Sequence, residues 1–131
     1  MSALRFLTYN IRLTLEEGFQ PVADTIKAIN ADVVALQEVG NFWPHGPKMN
    51  LVEEIARATG YTSYFFAGAL FEQGGAYGIG LLSNSPITKI SVSEMPRISD
   101  EQRVLLCAEL PVAHTRIWTT HLSVVKEDRN K

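Results

Sequence analysis

Asn10 and Glu38 are the residues whose type and setting best suit chemistry. Asn10 follows the apolar run that leads into Thr8-Tyr9-Asn10-Ile11, and Glu38 closes Asp32-Val33-Val34-Ala35-Leu36-Gln37-Glu38-Val39. An amide beside a carboxylate suits a hard divalent cation such as Mg²⁺, which takes oxygen ligands and needs few carboxylates. To serve one ion the two side chains must converge, and the segment between them supplies the means. It is long enough for one crossover helix, and Val22, Ile26 and Ile29 recur at i, i+4 and i+7 as one apolar stripe. Strands joined by such a crossover are parallel, because a tight hairpin cannot join parallel neighbours. Their C-terminal ends then share one sheet edge, where open α/β sheets bind ligands.

The elements that must hold this pair can be read along the chain. Leu4–Tyr9 reads as the first strand, and Gly18 and Pro21 punctuate the loop, with Pro21 fit for a first helical turn. Val33–Val39 is too uniformly apolar for a strand with one wet face and reads as a central strand covered on both sides. Gly40 to Pro47 is expected to be a loop. Leu51, Ile55 and Ala58 mark the core stripe of a second helix, closed by Gly60. The pattern then changes to short β-branched or apolar segments: Thr62–Ala69, Ala76–Ser83, Ile87–Ser93, Arg103–Leu110 and Thr115–Leu122. Gly74-Gly75 and Asn84-Ser85-Pro86 are turns, and Pro111 to His114 closes a hairpin. From Val124 the chain turns polar and is expected to begin another helix. These elements give an α/β (α+β) class with a mixed β-sheet and flanking helices.

Composition sets the outer bounds. At 131 residues the chain fits one domain with a real core, and its formal net charge of −2 leaves no general electrostatic footprint for nucleic acid. Cys107, the single cysteine, lies in Val104-Leu105-Leu106-Cys107-Ala108 and is expected to be a buried thiol. No signal-peptide pattern and no bilayer-length apolar stretch is present, so a soluble, cytoplasmic protein is the default expectation.

Five segments together resemble the endonuclease/exonuclease/phosphatase superfamily. They are Leu4-Arg5-Phe6-Leu7-Thr8-Tyr9-Asn10-Ile11, Ala31–Val39, the run from Gly74-Gly75-Ala76-Tyr77-Gly78 to Ser85-Pro86-Ile87, Glu101-Gln102-Arg103, and Trp118-Thr119-Thr120-His121-Leu122. Each is weak alone, but the five occur in order and cover essentially the whole chain. The resemblance implies half of a four-layer αββα sandwich of the DNase I-like kind, and hydrolysis of phosphate esters with Mg²⁺ or Mn²⁺. It implies Glu38 as the metal ligand, Asn10 as support for the metal or the phosphate, and His121 as a contact to the scissile phosphate. Such chemistry needs charge neutralisation and in-line positioning more than covalent help from the protein. The substrate classes it implies are nucleic acids, phosphoinositides, phospholipid headgroups and small phosphoesters.

Each candidate has a plainer reading. Glu38 could be an exposed carboxylate at a strand end, Asn10 a turn residue, and His121 a packed or solvent-facing histidine. Tyr77 is a candidate substrate contact through its hydroxyl, or simply a strand aromatic between glycines. Arg103 is expected to pair with Glu101, and His45 to be an exposed loop histidine. The family's glycine-aspartate-x-asparagine motif and its aspartate–histidine pair do not occur in the chain. Residues 1–131 are therefore expected to form one domain of this type cut short at its C-terminus, lacking the base that activates water. A non-catalytic binding protein on the same fold is the alternative. A bare fragment is the third reading, with self-association through an exposed sheet face.

Overall fold

Each of the two α-helices among the described residues is stopped by a residue in the left-handed conformation. The structure, a computed structural model, describes residues 3–97 and 99–122. Helix α1 (Phe19–Ile29) carries Pro21 in its first turn and ends at Asn30, whose φ is 54°. Helix α2 (Leu51–Thr59) starts where the Asn50 side chain accepts from the Glu53 N–H, and ends at Gly60, φ 89°. Both are standard ways of satisfying helix ends. The buried faces are Val22, Ala23 and Ile26 on α1, and Leu51, Val52, Ile55 and Ala56 on α2. Ala58 is exposed, contrary to the expected stripe. With only nine residues, α2 buries a face made by its first two turns.

Among the described residues, seven strands make two sheets. The first contains β1 (Phe6–Asn10), β2 (Val33–Asn41), β3 (Ser63–Glu72) and β4 (Gly75–Ser83), in the order β1-β2-β4-β3. As expected, β1 and β2 are parallel, with Asn10 opposite Gln37. The remaining pairs in that sheet are antiparallel. After the turn at Asn84-Ser85-Pro86 the chain leaves it for a second sheet of β5 (Thr88–Glu94), β6 (Val104–Leu110) and β7 (Thr115–Thr120), in that order and antiparallel throughout.

Two layers of apolar side chains join these elements. Val34, Leu36, Val39 and Leu82 face the helices, packing with Ile26, Leu51 and Ile55. On the opposite side, Val33, Ala67, Ile79 and Leu81 meet Val104, Leu106, Ala108 and Leu110 of β6. Strand β2 contributes to both layers, which explains its unbroken apolar run. Gly80 lets α2 lie close to the sheet, since a Cβ there would overlap the Val52 side chain. The result is helices, sheet and sheet: three of the four layers of an αββα sandwich among the described residues.

Alternation along β6 turns Cys107 away from the sandwich interior, so the thiol is half-buried rather than buried. The expected loop from Gly40 starts late, because β2 continues to Asn41. The helix expected from Val124 lies outside the described residues. Strand β1 is one margin of the first sheet and β7 one margin of the second, and residues of both line a single groove. No helix among the described residues is long and apolar enough to cross a membrane.

Candidate active site

Glu38 does not sit at a strand end. It is the extra residue of a β-bulge: Gln37 pairs with Ile79 and Val39 with Gly78, which leaves Glu38 without an opposite number on β4. Its φ is 57°, a conformation that a residue with a Cβ adopts only when its surroundings impose it. Bulges bend a strand and re-aim a side chain. Here the bulge lets β2 run on while its carboxylate turns towards the end of β1.

Asn10 closes that gap. Its Nδ2 donates to Glu38 Oε2 at 2.6 Å, while its Oδ1 accepts from the Arg12 backbone N–H at 3.1 Å. Only this orientation of the amide makes both contacts hydrogen bonds, because a carboxylate cannot donate and a backbone N–H cannot accept. The Arg12 N–H is placed by an unusual turn. Arg12, Leu13 and Thr14 have φ of 51°, 57° and 59°, three successive L-residues in left-handed geometry. Leu13 and Thr14 are buried, so packing holds a turn that the backbone alone disfavours.

His121 approaches from the second sheet, just beyond the end of β7. Its Nε2 lies 3.8 Å from Glu38 Oε2, beyond hydrogen-bond length, and the two side chains are 26% and 27% exposed. Burial, and then the positive charge of Arg103, hold the imidazole below its ordinary pKa, against the opposing pull of Glu38, Glu101 and Asp100. A neutral ring keeps one N–H donor and one acceptor. Tyr77, on β4, comes to the same place. Burial above all, then the charges of Glu38 and Glu101, push its hydroxyl well above the usual phenol range, against the opposing charge of Arg103. Gly78 beside it cannot carry a side chain, since a Cβ would overlap the Ala67 carbonyl oxygen.

The four residues singled out from sequence, Asn10, Glu38, His121 and Tyr77, are thus brought together at one end of the sandwich. Arg103 pairs with Glu101 at 3.4 Å, as expected, and also with Asp100 at 3.2 Å. His45 is exposed and meets Glu72 at 3.1 Å. The sequence reading missed Trp43, which is buried and whose ring lies 5.5 Å from that of Tyr77, packing behind it. It also missed the donation from Arg103 Nη1 to the His121 carbonyl oxygen at 3.1 Å. The apolar-to-aromatic run Phe42-Trp43 was a signal for the first; nothing in the side-chain pattern signals the second.

The donor set fits a hard cation in part. Glu38 offers a carboxylate whose Oε2 is steadied by Asn10, an arrangement that orients a metal ligand from outside the coordination sphere. Among the described residues no group of three or more His, Cys, Asp or Glu side chains is placed to hold a metal. A cation here would have one carboxylate and otherwise water or substrate oxygens, which Mg²⁺ accepts.

A carboxylate, an amide, a phenol and an imidazole thus meet at one end of a two-sheet sandwich with the DNase I-like fold. The sequence profile of the Endonuclease/Exonuclease/phosphatase family matches residues 7–120, and the chain belongs to that family. This is a phosphoesterase family whose members are generally metal-dependent. Among solved structures, an endonuclease/exonuclease/phosphatase from Beutenbergia cavernae DSM 12333 matches 97% of this chain and 41% of its own, with 23% identity and a TM-score of 0.78. A family protein from Leptotrichia buccalis C-1013-b matches 94% of this chain and 55% of its own, with 17% identity and a TM-score of 0.63. ANGEL2, a 2',3'-cyclic phosphatase, matches 92% and 41%, with 16% identity and a TM-score of 0.62. A search of curated proteins finds no match. The chain spans 41% to 55% of the length of these solved relatives.

Proposed function

We propose that this chain carries the metal-holding part of a Mg²⁺-dependent phosphoesterase site, with Glu38 as the protein ligand, Asn10 as its orienting partner and His121 as the phosphate contact. The observation that carries this reading is the convergence of Asn10 at the end of β1, Glu38 in the bulge of β2 and His121 just after β7, with Asn10 Nδ2 2.6 Å from Glu38 Oε2. Bound Mg²⁺ supplies charge neutralisation on the phosphoryl oxygens. Each residue then has a defined task. Asn10 keeps the Glu38 carboxylate in one orientation and is itself fixed by the Arg12 N–H. His121, held neutral by burial and by Arg103, donates an imidazole N–H to a phosphoryl oxygen without bringing a full charge. Tyr77 stays protonated, so it adds no negative charge near an anionic substrate. Activation of water falls to groups outside this set. The substrate is a phosphoester; ANGEL2 in complex with adenosine-2',3'-vanadate supports a nucleotide-type phosphoester as the first class to assay.

The test is calorimetric titration of the protein and of Glu38→Gln with Mg²⁺, alongside hydrolysis of bis(4-nitrophenyl) phosphate with and without chelator. Binding that Glu38→Gln abolishes, and any hydrolysis lost with it, are the expected results. Identical Mg²⁺ heats for both proteins would remove Glu38 from metal binding and favour a non-catalytic binding protein on this fold.

A further inference from the structure

We propose that Arg103 is the positioning residue of this site, gripping the main chain from which His121 reaches the substrate. The functional meaning of this grip rests on the reading of His121 given above, although its geometry does not. Arg103 immediately precedes β6 and His121 immediately follows β7. Because those strands are antiparallel, the two residues lie side by side at one end of the second sheet, just past the last ladder pair, Leu105 with Thr120. Beyond that pair the regular ladder no longer holds the chain. Two side chains take over: Thr120 Oγ1 donates to the Val104 carbonyl at 2.7 Å, and Arg103 Nη1 donates to the His121 carbonyl at 3.1 Å.

The grip is itself anchored. Arg103 Nη2 lies 3.2 Å from Asp100 Oδ2 and 3.4 Å from Glu101 Oε1, and only 11% of the arginine side chain is exposed. A planar guanidinium can meet a carbonyl with one nitrogen and carboxylates with the other, which an ammonium on a flexible stem cannot do in the same fixed geometry. The remaining donor, Nε, is buried and has no hydrogen-bond partner among the described residues. A well-packed apolar residue would avoid both that unmet donor and the desolvation of a charge, so stability alone does not account for an arginine here. Arg103, His121 and Tyr77 also line one small cavity, which places the grip directly behind the side chains of the site. With its main chain held, His121 reaches Glu38 and the phosphate through its own side-chain torsions only, and small misplacements of such groups cost large factors in rate.

His114 gives an internal control, since it lies at the hairpin between β6 and β7, the opposite end of the same two strands. Histidine ring ¹H–¹³C spectra of the protein, Arg103→Met and Arg103→Lys test the proposal without any need for turnover. In both variants the His121 ring signal is expected to shift and to broaden or split, while that of His114 stays in place. Because lysine keeps the charge, an effect in Arg103→Lys reports the lost fork rather than lost electrostatics. If Arg103→Met fails to fold, Arg103→Lys carries the test. An unmoved His121 signal in a folded variant overturns the proposal, and so does a change shared equally by His114, which marks general loosening. Failure of the phosphodiester assay, by contrast, bears on the reaction and leaves this result standing.

Discussion

The side chain of Asn10, on the outermost strand of the first sheet, donates to the side chain of Glu38 in the bulge of the neighbouring parallel strand, across 2.6 Å. Twenty-eight residues of sequence separate the two. One hydrogen bond therefore couples the path of the crossover helix to the orientation of the carboxylate. Asn10→Ala removes the side-chain donor that holds Glu38 Oε2 from β1. Loss of such an orienting partner lowers metal affinity by about 10- to 100-fold. Calorimetric Mg²⁺ titration of Asn10→Ala is expected to show weakened binding, with Asn10→Asp, which cannot donate at neutral pH, no better. Unchanged affinity in Asn10→Ala would make the bond an incidental one.

The bulge makes a separate prediction about stability. With φ at 57°, position 38 favours glycine over any residue with a Cβ. Glu38→Gly should be more stable than Glu38→Ala by roughly 1 kcal/mol, read from urea melts of the two variants. At an ordinary strand position the order reverses, because glycine weakens strands. Equal stabilities would mean that the left-handed conformation is not imposed at residue 38.

Acid tests His121. Its pKa is lowered in the folded protein by burial and by Arg103, so the fold favours the neutral ring. The unfolded chain then binds the proton more readily, and stability rises with pH in the window between the two values. The contribution is complete above the unfolded value of about 6.5 and is lost as pH falls through it towards the folded value. Thermal melts between pH 5 and about 7.5 should therefore show a shallower decline on acidification for His121→Gln than for the unaltered protein. Parallel slopes would mean that the ring is not held neutral by the fold.

Alkali tests Tyr77 with the opposite sign. Its raised pKa means that the fold favours the protonated phenol, so its contribution is present below about pH 10 and declines as pH rises beyond that. Absorbance at the tyrosinate wavelength should show tyrosine titration delayed in the folded protein relative to the denatured one, with the latest step from Tyr77. In Tyr77→Phe that late step should vanish. Persistence of the step would assign it to another of the tyrosines whose hydroxyls are held up, Tyr9 or Tyr61.

Parts of this arrangement were open to reading because they leave marks in residue type. Val33 to Val39 faces apolar layers on both sides, so it can carry no polar alternation, and that run together with a crossover of helical period dictates the parallel pair. The convergence of Asn10 with Glu38 followed from it. The bulge was not legible, because a single extra residue on one strand changes register without changing composition. For the same reason β2 was expected to end near Glu38, and the following loop to begin too soon. Ala58 was misread since alanine fits either face of a short helix, and Cys107 since both faces of β6 are apolar in sequence while only one is covered by the first sheet. The hold of Arg103 on His121 ends on a main-chain carbonyl, which every residue possesses, so no pattern of side chains announces it.

Strand β1 and strand β7 are outer strands of different sheets, yet both border one groove. Among the described residues each is paired with a neighbouring strand on one side only, leaving backbone hydrogen-bonding groups free along the other. The scaffold is thus extensible at two neighbouring margins without any repacking of its interior. Polypeptide laid parallel to β1 delivers its own last residue to the end where Asn10 and Glu38 already meet, and polypeptide laid parallel to β7 delivers one beside His121. Growth along the flank therefore translates into new functional groups at the tip, by direction of travel alone.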